Sequence, residues 1–246
     1  MKVIDISANN DVVNFANVKK AGYEGVIIRC GGSYDGFFKD SRFEEFYKNA
    51  KANALKVGCY YIPGKDFGKN PSADAEADYQ NFKNCISGKS FELPIFIDIE
   101  LQSPAYRTGI TEAVIDIGAK FEKDGYFFGV YGSEVLGFKE LMDYNKVKRF
   151  GLWVASYSAS TPDITYIAWQ YTSKGTINGC SGYLDINNLT DGIAEAIEKQ
   201  GLNKCKKIEN VSRETSKTIE VKAGETVIIK GVKWWILKTQ KLYYRI

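Results

Sequence analysis

The stretch Leu93-Pro94-Ile95-Phe96-Ile97-Asp98-Ile99-Glu100 runs from apolar strand-forming residues straight into two carboxylates. Short, rich in Ile and Phe, it reads as a buried strand. Residues i and i+2 of a strand share a face, so Asp98 and Glu100 are expected side by side, about 6–7 Å apart along the backbone. Like charges held together at the end of a buried strand are costly unless something uses them. The pair is therefore a candidate catalytic centre.

Eight such runs recur: VIDIS (3–7), GVIIRC (25–30), VGCYYI (57–62), PIFIDIE (94–100), FFGVYG (127–132), GLWVASY (151–157), YIAWQYT (166–172) and GYLDI (182–186). Helical stretches separate the first five. VNFANVKKAG has a helical apolar rhythm, and RFEEFYKNAKANAL places Phe43, Phe46, Tyr47, Ala50 and Ala54 on one face. SADAEADYQNFKNCI follows Pro71 with Ser72 as its expected cap, and TEAVIDIGAKFEKDG is expected to run from Thr111 to Gly125. Alternating strands and helices predict an α/β fold with a parallel sheet. Eight strands predict its closure into an irregular (β/α)-barrel, with helices mainly after the first five because little room remains between strands beyond Gly151. The strand ends carry Asp5, Arg29, Tyr60 with Tyr61, Asp98 with Glu100, Tyr131, Tyr157, Gln170 with Tyr171, and Asp185. Polar and aromatic residues thus gather where a barrel keeps its chemistry.

The chain of 246 residues contains no histidine. That removes Ser-His-Asp triads, Cys-His dyads and His-based metal sites together. Cys30, Cys59, Cys85, Cys180 and Cys205 are widely spaced without a CxxC pair, so free thiols are expected rather than a zinc site or a disulfide framework. No metal and no cofactor is expected, and hydrolysis here would run on carboxylates. No apolar run is long enough to span a bilayer. MKVIDISANN lacks the apolar core of a signal peptide, so synthesis in the cytoplasm is expected, with action elsewhere only after release. Neither a nucleic acid nor a membrane is expected as a partner.

Charge divides the chain. From Gly201 onward 11 Lys and Arg face 4 Asp and Glu, a net +7, whereas residues 1–200 carry −4. Residues 201–216 read as a polar linker, and 217–246 as a small basic module of β-hairpins. About 30 residues cannot build a sufficient core alone. The module would bind something, pair with another copy, or dock. Trp234, Trp235, Tyr243 and Tyr244 are either its own core or a grip on glycan and anionic wall polymer.

Residues 1–195 resemble glycoside hydrolase family 25, the lysozyme-like N-acetylmuramidases common among bacteriophage endolysins. The resemblance rests on VIDIS, on AGYEGVIIRCGG followed by KDSRFEEFYKNAKANALKVGCYY, on LPIFIDIE, and on LWVASY with WQYTSKGTINGCSGYLDINNL. It implies an irregular barrel of five βα units closed by three further strands. It also implies cleavage of the β-1,4 bond between N-acetylmuramic acid and N-acetylglucosamine in bacterial peptidoglycan, as in phage-induced host lysis. Glu100 would protonate the glycosidic oxygen. Asp98 would stabilise the developing positive charge or orient the substrate's N-acetyl group, the expected nucleophile. Asp5 and Asp185 would complete the acidic cluster, and Tyr60, Tyr131, Trp169 and Gln170 would line or support the cleft. Tyr61 stands where the family usually has His, which reads as a change at the cleft wall. Asp40 matches a family position and would serve equally as a helix cap.

Asp98, Asp5 and Asp185 would raise the Glu100 pKa by like-charge repulsion, with partial burial adding to it. Arg29 is expected to pair with an acid of the cluster, Trp153 to lie in the core, and Asp5 could instead cap its turn. A chitinase-like hydrolase is the rival enzyme, but its D-x-x-D-x-D-x-E pattern would need acids at Leu93 and Phe96. The rival outside enzymes is a dead barrel with a wall-binding or phage structural role.

Overall fold

The computed structural model describes residues 1–158 and 160–207 and, in a separate C-terminal unit, four strand segments. The first unit, Met1–Ile208, is a closed barrel. Its strands are β1 (Lys2–Ile6), β2 (Gly25–Gly32), β4 (Lys56–Ile62), β5 (Ile95–Asp98), β6 (Phe128–Ser133), β7 (Gly151–Ala155), β8 (Ala168–Gly175) and β9 (Leu184–Leu189). A two-residue strand, β3 (Phe38–Lys39), folds back antiparallel on the end of β2. Apart from β3, all neighbours from β1 through β8 run parallel, and β9 closes the ring antiparallel to both β8 and β1. The eight expected strands are all present, each within a few residues of its expected ends.

Helices α1 (Phe15–Lys20), α2 (Phe43–Ala52), α3 (Pro71–Ile86) and α4 (Arg107–Lys123) cover the outside. A π-helical turn (Leu136–Leu141) with α5 (Tyr144–Val147) follows β6, and α6 (Ile193–Gln200) follows β9. Two helix starts differ from expectation. Pro71 occupies the first turn of α3 and Asn70 its cap position, which places Ser72 inside the helix; Asp74 Oδ2 accepts from the backbone N–H of Gly68 and Asn70 and organises that end. Helix α4 begins one turn before Thr111, whose hydroxyl bonds back to the Arg107 carbonyl at 2.7 Å instead of capping.

The parity of each strand explains the core. Outward side chains such as Ile4, Val26, Ile28, Ile95 and Ile97 pack under the helices. Inward ones, Val3, Ile27, Phe96, Tyr131, Trp153 and Ala168, fill the barrel. Phe96 reaches across to β6 only because position 129 is glycine: a Cβ there would lie 2.5 Å from its ring. Two residues further along each strand the inward face turns polar: Val3 to Asp5, Ile27 to Arg29, Phe96 to Asp98, Ala168 to Gln170. The apolar lower layers are the floor on which the polar layer stands.

The expected linker start at 201 is corrected. Fully buried Asn203 closes the barrel's lower edge, its side chain accepting from Phe127 N at 2.7 Å and donating to Leu93 O at 2.8 Å. Its backbone pairs with Phe91 N and Gly125 O, and Cys205 Sγ contacts Phe91 O. Asn203 sits at φ 53, in the left-handed region that Asn tolerates better than most residues. Residues 208–216 lie outside the described residues. In the C-terminal unit, β10 (Lys217–Val221) pairs antiparallel with β13 (Gln240–Tyr244), and β11 (Thr226–Ile229) with β12 (Val232–Trp235).

Replacing Asn203 by Ala would strand a buried N–H and a buried C=O, each worth about 1–3 kcal/mol. Asn203→Ala should lower unfolding stability by about 2–5 kcal/mol in urea titrations, and a truncation after Gln200 should be less stable than one after Ile208. Equal midpoints for these two truncations would remove Asn203 from the fold's closure.

Candidate active site

The polar layer opens into a cleft of about 310 Å³ lined by Asp5, Arg29, Tyr60, Asp98, Glu100, Tyr131, Gln170 and Asp185, with Trp153 at its base and Tyr157 at its rim. Sequence positions 5 and 185 become neighbours because β1 and β9 pair antiparallel with Asp5 opposite Asp185. Asp98 stands beside Tyr131 on the next strand. Strand β5 stops at Asp98, so Glu100 is not a strand residue. Ile99 keeps one ladder bond to Tyr131 O, and Glu100 emerges on the rim. Asp98 is buried and Glu100 exposed, yet both line the same cleft.

Asp5 does not cap its turn. That turn is held by Ser7 and Asn10, leaving Asp5 Oδ2 to accept from Gln170 Nε2 at 2.9 Å and Asn187 Nδ2 at 2.8 Å. Tyr131 and Tyr157 hydroxyls both meet Gln170 Oε1, at 3.1 and 2.6 Å. Arg29 departs from expectation. Its Nε pairs with Asp40 at 2.7 Å rather than with one of the four acids, and both side chains are buried. Asp40 also accepts from Ala8 N and from Arg42 N just before α2, so it ties β2 to the β1 loop and to the helix start.

Tyr61 and Trp169 do not reach the cleft. Each neighbours an inward residue, Tyr60 or Gln170, and strand alternation sends it to the opposite face. Tyr61 stacks on Phe82 at 5.2 Å and donates to Asp78 Oδ1 at 2.8 Å beneath α3. Trp169 donates to Ser156 O on the outer side. Trp153 is core, as expected, and also cleft floor. Asn187 was not among the expected site residues; it lies two positions after Asp185, and the same i, i+2 rule marks it as inward.

Electrostatics favour protonated carboxyls here. Burial first, then Asp185, raises Asp5 to about 8. Burial pushes Asp98 well above the usual carboxylate range, with Glu100 and Asp5 adding to it and Arg29 partly opposing it. One oxygen of Asp98, Oδ1, is buried with no hydrogen-bond partner among the described residues. Glu100, though open to solvent on the rim, is raised first by desolvation against the cleft wall and next by Asp185. Asp185, across the cleft, thus acts on Glu100, and the repulsion between Glu100 and Asp98 shows in the rise at Asp98. Among the described residues, no group of three or more His, Cys, Asp and Glu is placed to hold a metal ion.

A helix-clad barrel whose strand ends converge on carboxyls with raised pKa values is the build of an acid-catalysed glycoside hydrolase. Residues 4–180 match the model of Glycosyl hydrolases family 25, and the chain belongs to that family. The autolytic lysozyme of Clostridium acetobutylicum is 31% identical over 201 residues, covering 78% of this chain and 57% of that protein. The chain thus spans little more than half of that relative's length. The crystal structure of the CTP1L endolysin aligns with TM-score 0.69 at 28% identity, over 80% of this chain and 68% of that one. The bacterial lysozyme of Streptomyces coelicolor shares the fold, with TM-score 0.64 at 23% identity over 82% and 96% of the two chains.

A carboxyl whose pKa is raised on folding contributes stability that is full below its unfolded value, about 3.9 for Asp, and is lost as pH rises through the folded value. Asp98→Asn keeps the shape and deletes the ionisation. Calorimetry should therefore show it more thermostable than wild type at about pH 8, with the difference vanishing near pH 4. A constant difference across this range would mean Asp98 is not protonated by its burial.

Proposed function

We propose that the protein is an N-acetylmuramidase that cleaves the β-1,4 bond between N-acetylmuramic acid and N-acetylglucosamine in bacterial peptidoglycan. The observation that carries this is the convergence of Asp5, Asp98, Glu100 and Asp185 in one cleft whose one lining cation, Arg29, is paired through Nε with Asp40 outside the four. The autolytic lysozyme and the endolysin among its relatives support the same substrate. Glu100, exposed on the rim with a raised pKa, is the general acid for the leaving oxygen. Asp98 lies deeper, where it orients the acetamido group. Lysis of a host from within, after release to the wall, is the biological setting we assign. The chitinase-like alternative is disfavoured because Leu93 and Phe96 are packed into the barrel interior. A dead barrel is disfavoured by the presence of all four acids.

Glu100→Gln should cut lytic rate by about 10²–10⁴-fold while leaving the circular dichroism spectrum unchanged. Mass spectrometry of wild-type digests should find reducing-end muramic acid; reducing-end glucosamine would overturn the bond assignment.

The basic C-terminal unit we assign to wall attachment through anionic polymer. Its net charge supports this, and salt should weaken the attachment, because such attraction is screened within about 8 Å at physiological ionic strength. A chain ending at Ile208 should still cut soluble glycan fragments and lose salt-sensitive binding to intact walls. A full-length oligomer that becomes monomeric on truncation, with wall affinity unchanged, would make the unit an assembly device instead.

A further inference from the structure

Asp5 is held by a chain of donors that ends on a group unable to reverse its role. The indole N–H of Trp153 can only donate, and it donates to Asn187 Oδ1 at 2.7 Å. This forces the Asn187 amide so that its NH₂ faces Val3 O at 3.5 Å and Asp5 Oδ2 at 2.8 Å. Gln170 Nε2 reaches the same oxygen at 2.9 Å. Asp5 Oδ2 therefore receives two N–H donors and has no acceptor to give a proton to. Asp5 Oδ1 has no protein partner among the described residues. It is also not enclosed, since Asp98 Oδ1 is the one buried side-chain polar atom without a partner among them. It faces the cleft that Asp5 lines.

We propose that Trp153 and Asn187 are positioning residues that keep the proton of Asp5 on Oδ1. Asp5 then meets the sugar as a neutral hydrogen-bond donor rather than as a carboxylate. The charged and titratable groups around Asp5 are consistent with this. Asp185, Asp98 and Glu100 all disfavour a further negative charge, Tyr60 is neutral, and Arg29 is committed to Asp40. Gln170 shares the task on the other side, and its own oxygen is engaged by the Tyr131 and Tyr157 hydroxyls. The donor role toward a sugar oxygen rests on the muramidase reading above. The protonation pattern does not.

The two are separated by experiment on the full-length protein. Carboxyl ¹³C NMR of wild type should show Asp5 as a neutral acid at neutral pH, and its titration should move upward in Asn187→Leu and Trp153→Phe, which remove or free one donor to Oδ2. Kinetics then use Asn187→Asp. Ionised, that side chain accepts the Asp5 proton on the wrong oxygen, Oδ2. Protonated at lower pH, it donates to Oδ2 while still accepting from Trp153, and the native pattern returns. Its activity relative to wild type should be down roughly ten- to hundredfold at neutral pH and recover as pH falls, whereas Asn187→Leu stays low throughout. A purely structural role would lower both in constant proportion at every pH. An Asp5 already ionised at neutral pH in wild type, or an Asn187→Asp ratio flat with pH, overturns the proposal. Absence of peptidoglycan cleavage by wild type would remove the muramidase reading and leave the NMR result to decide the proton's place. Should Asn187→Asp fail to fold, Trp153→Phe decides: an Asp5 titration identical to wild type there also overturns it.

Discussion

Four carboxyl groups share one end of a closed barrel, and the one guanidinium among them is already bound to Asp40. That shortage of free positive charge governs the site. Taken out of water and turned toward one another, the acids are pushed toward their protonated forms. The arrangement opposes stability, because ionising a buried group at neutral pH opposes folding. It also leaves carboxylic acids where a leaving oxygen needs one.

The surroundings maintain this balance with neutral groups. Gln170, Asn187, Trp153 and the hydroxyls of Tyr131 and Tyr157 orient Asp5 without cancelling its neighbours' repulsion. A lysine in place of either amide would draw the acids into ion pairs and empty them of protons. Amides supply direction at little electrostatic expense, and each is fixed from behind by a donor or hydroxyl anchored in the aromatic floor. Trp153 packs against Tyr60, Phe96 and Tyr131, so the floor that fills the barrel also aims the polar layer.

Closure makes the cluster possible. Asp5 and Asp185 lie 180 residues apart in the chain and meet only because β9 runs back between β8 and β1. Asn203 contributes at the opposite end, joining the edges before β5 and β6 from beyond the last helix. Both contacts are products of topology, and Asn203 comes from a short segment with no local signal of its importance.

The amino-acid sequence by itself determined the eight strands, the helices after the first five and the acids at the strand ends, because each is written in local periodicity and in runs of a few residues. It also contained the parity that sends Tyr61 and Trp169 outward and Asn187 inward, once one inward residue on each strand is known. Only the tertiary structure decided that Glu100 lies past its strand, that Asp185 raises its pKa, that Arg29 answers to Asp40, and that Asn203 belongs to the barrel. These depend on distances and burial between segments remote in sequence. Electrostatic coupling and desolvation are set by where side chains lie in space, and spacing along the chain does not encode that.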